Sequence, residues 1–208
     1  MGKIYNRSLP SEEIDNSSAC FGKYTLKEYL ELIKAFHSHV APGLLAGGIM
    51  VDMAMRGLPA GILFNAFCET YKCLPDAVQL LTPCTVGNGW LRVLDFGRFA
   101  ICLYEKNTGR GIRVFLDAKK IRDLRAINTW FFKLQPKNLQ DPNLLFAEIK
   151  RAGETIYSTQ KVKVLDQHLE KKRIGERSIC KICGEAYPAN HGIICRACQG
   201  QIPYLSEN

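Results

Sequence analysis

No stretch of the chain reaches the roughly 18 consecutive apolar residues that would read as a membrane span. Its first residues, MGKIYNRSLPSEEIDNSSA, are polar and partly acidic and lack the continuous apolar core of a secretory signal. Both absences point to the cytoplasm. Internal repeats and low-complexity tracts are also missing, which sets aside solenoids and compositionally biased linkers. A disulfide framework is excluded in a different way. The nine cysteines are odd in number, and four of them fall in two C-x-x-C pairs, a usage that suits metal binding in a reducing compartment.

What is present fits one well-buried domain and a small appendage in 208 residues. With 47% apolar and 23% charged residues, the composition is that of an ordinary globular protein. The net charge of +8 is unevenly spread: residues 1–117 carry 12 Lys/Arg against 11 Asp/Glu, and residues 118–208 carry 16 against 9. A basic second half suits an anionic partner such as nucleic acid, a phosphorylated cofactor or an acidic protein, or is simply a solvated face.

Local signals outline the elements. After a polar lead-in over residues 1–20, Thr25 and Glu28 have capping-box spacing. Leu26, Tyr29, Leu30, Ile33 and Phe36 then recur at helical intervals. Pro42 opens a second helix, rich in Gly and Ala, that closes at Gly57 and is as able to pack in a dimer as in its own core. Residues 61–68 read as a buried strand, 73–81 as a short helix and 82–89 as a loop. Leu91–Phe96, Phe99–Tyr104 and Ile112–Leu116 read as a three-stranded antiparallel meander. Residues 119–134 and 143–151 return to helical periodicity, and 155–165 alternate as a last strand. Helices, then strands, then helices suggest an α+β fold, an antiparallel-sheet core with packed helices. The charged segment 166–178 sets the boundary, giving a core domain over 1–165 and a linker with a small finger over 166–208.

Three constellations carry chemistry. Cys180, Cys183, Cys195 and Cys198, with Gly184 after the second, have the spacing of a closed four-thiolate zinc knuckle; a redox dithiol or rubredoxin-like iron is the competing reading. His37 and His39 stand at the junction of two helices, where imidazoles bind metal or move protons but equally serve as caps. Cys84 sits in a glycine-rich loop, as a nucleophile, a soft metal ligand or a small hydrophobe at a tight turn. Cys73, beside Asp76 and Gln79, either lines a pocket or simply starts a helix.

The order FHSHVAPGLLAGG, CLPDAVQLLTPCTVGNG, FGRFAICLYEKNTGRGIRV and a final double C-x-x-C resembles the FmdE-like family, named for formylmethanofuran dehydrogenase, over about residues 20–200. The resemblance implies an α+β core, often dimeric, followed by a treble-clef zinc finger. It further implies that His37, His39 and Cys84 share one cleft, with Cys73, Asp76, Gln79 and Thr85 as neighbours. The family often has cysteine where this chain has Ala41, and commonly Lys and Asn where Asn88 and Trp90 stand. The reading that follows is a metal-binding accessory protein of anaerobic one-carbon metabolism. Zinc is expected in the finger and a second transition metal (zinc, nickel or iron) in the core. A second copy and other components of a formylmethanofuran dehydrogenase-type complex are the expected partners. The alternatives are a standalone enzyme with Cys84 as nucleophile and a histidine base, or a zinc-finger module that binds nucleic acid or protein.

Overall fold

The computed structural model describes residues 20–169 and 175–204. The expected lead-in over residues 1–20, apart from Cys20, lies outside the described residues, as does part of the charged segment 166–178. The chain divides between Asp166 and Gln167 into two compact units.

The first unit opens with a short antiparallel pair, β1 (Cys20–Phe21) and β2 (Tyr24–Thr25), and then α1 (Leu26–His37). Thr25 Oγ1 accepts the Glu28 amide at 3.3 Å and Glu28 Oε2 accepts the Thr25 amide at 2.8 Å, so two otherwise unpaired donors are satisfied reciprocally. Tyr29 and Ile33, one turn apart, are buried. Phe36 is 55% exposed in the last turn, just before the chain reverses at Ser38. The second helix, α2 (Pro42–Arg56), has Pro42 at its first position and Gly57 at its end. Leu44, Leu45, Met50, Val51 and Ala54 are all buried. A helix apolar nearly all round belongs in an interior, and α2 lies within the core of its own unit.

Next come β3 (Phe64–Cys68), α3 (Leu74–Leu81) and β4 (Leu91–Val93). A Cβ on Gly43 would lie 2.7 Å from Cys73 Sγ, and one on Gly47 would lie 2.8 Å from the Ala77 Cβ. Glycine at these positions lets α3 approach the α2 backbone directly, which brings the start of α3 beside the start of α2.

The sheet is completed by β5 (Ala100–Glu105), β6 (Arg110–Leu116) and, after α4 (Arg125–Phe132) and α5 (Pro142–Ala152), by β7 (Tyr157–Lys163). Its order is β4-β3-β5-β6-β7. The meander is therefore β5-β6-β7, not the one expected to begin at Leu91. β4 pairs parallel with β3, making one β-α-β unit through α3. The physical reason is at the end of β3. The Leu94 amide donates to the Cys68 carbonyl at 2.9 Å, and the Phe96 and Arg98 amides donate to the Glu69 carbonyl at 3.0 and 3.1 Å. The segment after β4 thus wraps the tip of β3 and crosses to its other side, where β5 pairs. Glu69 then fixes this corner with its side chain, accepting Arg113 Nε at 2.6 Å and Arg98 Nε at 2.7 Å.

The helix expected over 119–134 is shorter at its start. Asp117 takes the Lys119 amide on its side chain and the Lys120 and Ile121 amides on its carbonyl, an Asx-type turn that competes with helix formation. α4 begins at Arg125, and the Ile127 amide in its first turn donates to Glu148 Oε2 of α5 at 2.8 Å. At the sheet edge, β7 carries Lys161 and Lys163, charges that discourage pairing with another strand. No helix among the described residues is long and apolar enough to cross a membrane.

The division falls within α6 (Asp166–Leu169), and in the second unit β8 (Arg177–Ile179) pairs antiparallel with β9 (Ala186–Pro188). Among the described residues its apolar centre is Cys180, Tyr187 and Cys195 with their neighbours Ile194 and Cys198. A centre of that size suits a unit to which a bound metal would add folding free energy.

Candidate metal sites

The four finger thiols converge. The Sγ atoms of Cys180, Cys183, Cys195 and Cys198 all lie within 4.8 Å of one another, and Cys183 and Cys195 are 3.7 Å apart. Zinc–sulfur bonds of about 2.3 Å in a tetrahedron require sulfurs about 3.8 Å apart, so the donor set fits the ion. Local backbone prepares it. Gly184, at φ +76, lets the chain fold back so that its amide donates to the Cys180 carbonyl at 2.9 Å. The Cys195 amide donates to Cys180 Sγ at 3.5 Å, and the Cys198 amide to Cys195 Sγ at 3.4 Å. Hydrogen bonds from the Cys183 and Cys195 backbone push the Cys180 thiol down to about 6, so it is the ligand readiest to ionise. His191 is not one of the donors; its carbonyl accepts Gln199 Nε2 at 2.9 Å.

In the core unit the seven expected residues fall into two groups at opposite ends of α3. At its start, His37 Nδ1 lies 2.6 Å from Asp76 Oδ2, with the two side chains 25% and 28% exposed. The His37 and His39 rings stand 4.9 Å apart. Burial, the neighbouring His37 and Lys137 all push the His39 imidazole below its ordinary range, so it favours the neutral form that binds metals. Cys73 caps α3 at φ 58 and ψ −44, a conformation rarely held by a residue with a side chain, and strain of that kind collects at functional positions. Burial and then Asp76 raise its thiol, while Lys133, Lys137 and Lys72 pull the other way. None of these lysines, nor Trp130 beside Gly43, was signalled by a motif.

At the other end, Cys84 is fully buried and its thiol donates to the Phe64 carbonyl at 3.5 Å. Burial pushes that thiol up to about 11, which leaves little nucleophilic thiolate near neutral pH. Gln79 and Thr85 brace the loop: Gln79 Oε1 accepts the Val86 amide at 3.2 Å, and Thr85 Oγ1 accepts the Asn88 amide at 3.1 Å. Asn88, which stands where the resembled family commonly has a lysine, closes the same loop by donating to the Pro83 carbonyl at 2.8 Å. Among the described residues, the finger cysteines are the one set of three or more such side chains whose donor atoms converge; His37, His39 and Cys84 do not.

Comparison with known proteins places both units. A family model described as FmdE, molybdenum formylmethanofuran dehydrogenase operon, matches residues 36–166, and one described as FmdE treble clef zinc finger matches residues 171–205. A solved structure of a tungsten formylmethanofuran dehydrogenase FmdE-like protein from Syntrophus aciditrophicus is 52% identical, with a TM-score of 0.81 over 88% of this chain and 96% of that one. A curated protein of Archaeoglobus fulgidus, named a probable S-adenosyl-L-methionine-binding protein, is 28% identical over 190 residues. That match covers 80% of this chain but 51% of the relative, so the chain spans about half the length of the curated protein it matches.

Proposed function

Because the chain belongs to the FmdE family, we propose that it is a metal-binding accessory protein of anaerobic one-carbon metabolism, with structural zinc in its finger and a second transition metal in its core. The His37–Asp76 pair is the observation that carries the core site. With Nδ1 donated to the carboxylate, the ring is fixed in one tautomer and Nε2 is left to ligate, the arrangement that metal-binding histidines almost always adopt. His39 stands beside it as a second imidazole. Cys73, the residue at the N-cap of α3, is the thiol at the same end of that helix as Asp76. Nitrogen and sulfur together suit zinc, nickel or iron. Bound there, a metal would supply a Lewis acid with room for an outside ligand. Asp76 would hold the His37 proton, and Tyr29, whose hydroxyl donates to the Leu44 carbonyl at 2.9 Å, would fix the first turn of α2 behind the site.

The test is elemental analysis of the anaerobically purified full chain. Two metal equivalents are expected, falling to one in His37→Ala and in Cys73→Ala while the finger keeps its zinc. A single equivalent in the unaltered chain, with no change in either variant, would overturn the core site.

A further inference from the structure

The lysines that deter another strand from the open edge of β7 are also what would select an acidic one. β7 runs for seven residues with β6 on one side, and among the described residues no strand pairs with its other side. The Val164 amide donates to the Gly109 carbonyl and the Asp117 amide to the Ile156 carbonyl, both at 2.9 Å. In the register that pairs Ile112 with Lys161 and Val114 with Thr159, these bonds assign the even-numbered residues of the strand to β6. The N–H and C=O groups of Thr159, Lys161 and Lys163 therefore point outward, and all three residues are exposed. At the other end of the edge the Tyr157 carbonyl is already taken by Lys120 Nζ.

A cavity of about 530 Å³ opens beside this edge. Met53 of α2 and Ile112 of β6 give it apolar walls, and Thr159 and Lys161 line it from β7. Arg56 also lines it, but is held between Asp52 and Glu154, so its charge is already balanced. Lys161 and Lys163 form no ion pair among the described residues, and the exposed Arg110 stands opposite Lys163. Unpaired N–H and C=O groups at alternate residues recognise an extended backbone. A second copy of β7 would add two more lysines to the same edge, whereas a strand carrying carboxylates would neutralise it. Side chains on one face of such a strand alternate, so an apolar residue two positions from a carboxylate faces the cavity.

We propose that an acidic peptide segment with an apolar residue adds to β7 as an antiparallel strand, with its carboxylates on Lys161 and Lys163 and its apolar side chain in the cavity between Met53 and Ile112. The probe is the peptide Glu-Thr-Glu-Thr-Leu, blocked at its C-terminus and fluorescently labelled at its N-terminus. It is titrated with the zinc-loaded full chain at low ionic strength and followed by anisotropy. Antiparallel pairing sets its two glutamates opposite Lys163 and Lys161 and its leucine opposite Thr159.

Saturable binding is expected. Lys161→Glu/Lys163→Glu, at two exposed positions, should weaken it by about tenfold or more and gain affinity for Lys-Thr-Lys-Thr-Leu in exchange. N-methylation of the second glutamate and the leucine removes the donors that meet the Lys161 and Thr159 carbonyls and leaves the charge unchanged, so it should abolish binding. No saturable binding, equal affinity in the charge-reversed variant, or equal affinity of the N-methylated peptide overturns the proposal. A chain that runs as a dimer in size-exclusion chromatography and as a monomer in Thr159→Pro, which lacks one outward N–H, puts a second copy on this edge and overturns it as well.

Discussion

Asp76 Oδ2 and His37 Nδ1, 39 residues apart in sequence, meet at 2.6 Å and join the last residue of α1 to the first turn of α3. Neither residue is buried deeply enough for the contact to be a matter of packing. What it does is hold one imidazole nitrogen and leave the other outside that contact. Asp76→Ala is therefore expected to lower core metal affinity by about 10–100-fold, the usual effect of removing a carboxylate behind a metal-binding histidine. Competition with a chromogenic chelator measures it, with finger zinc as the internal reference. Unchanged affinity would make the pair merely structural.

Sequence alone reveals what neighbouring residues decide. Thr25 with Glu28, Pro42 with Gly57, and the two C-x-x-C pairs each act within a few residues, so α1, α2 and the finger are legible from the chain itself. The place of β4 is not, because it depends on the Glu69 carbonyl accepting amides from 27 and 29 residues further on. Nor is the start of α4, where the Asp117 turn outweighs an apolar periodicity running through Ile121 and Leu124. The site shows the same division. His37 and His39 are conspicuous as a motif, but Asp76, which pairs with His37, stands 39 residues further on and is brought to it only by the fold.

Cys84 is expected to be a slow thiol. At about 11 against an ordinary 9.0, it has about 100-fold less thiolate at pH 7 than an unperturbed cysteine, and burial restricts access further. Iodoacetamide labelling of the zinc-loaded full chain, read by peptide mass, should leave Cys84 unmodified long after free cysteine in the same solution has reacted. Labelling of Cys84 as fast as free cysteine would revive a nucleophilic role for it.

Gly47→Ala tests how closely α2 and α3 pack. The added methyl would meet the Ala77 Cβ at 2.8 Å and Leu74 Cδ2 at 3.1 Å. Overpacking of this kind costs about 1–3 kcal/mol, partly offset by the better helix propensity of alanine, worth about 1 kcal/mol. A net loss of about 1 kcal/mol is expected in urea unfolding followed by tryptophan fluorescence. Trp90 and Trp130 are the chain's two tryptophans, and both lie in the core unit. A variant as stable as the unaltered chain would show that the helices can separate without cost.

Glu69 sets the acid limit of the core. Burial alone would raise its carboxyl, but the hydrogen bonds and charge of Arg113, and then Arg98, hold it below its ordinary value of 4.5. A carboxylate lowered in the folded state stabilises fully above its unfolded value, and that contribution is lost as pH falls through the folded one. Core stability should therefore hold from neutral pH to about pH 4.5 on this account and decline below it. Glu69→Gln removes the charge from a side chain that is 9% exposed and leaves Arg113, 17% exposed, without its partner. The loss at pH 7 should be about 3 kcal/mol, the scale for breaking a buried ion pair from one side. As pH falls through the folded value of Glu69, below 4.5, the variant and the unaltered chain should converge, because protonation then makes the same change in the unaltered chain. Parallel stability curves, offset by the same amount at pH 7 and at the lowest pH at which the core stays folded, would show that the corner around β3 is held by shape and not by this charge.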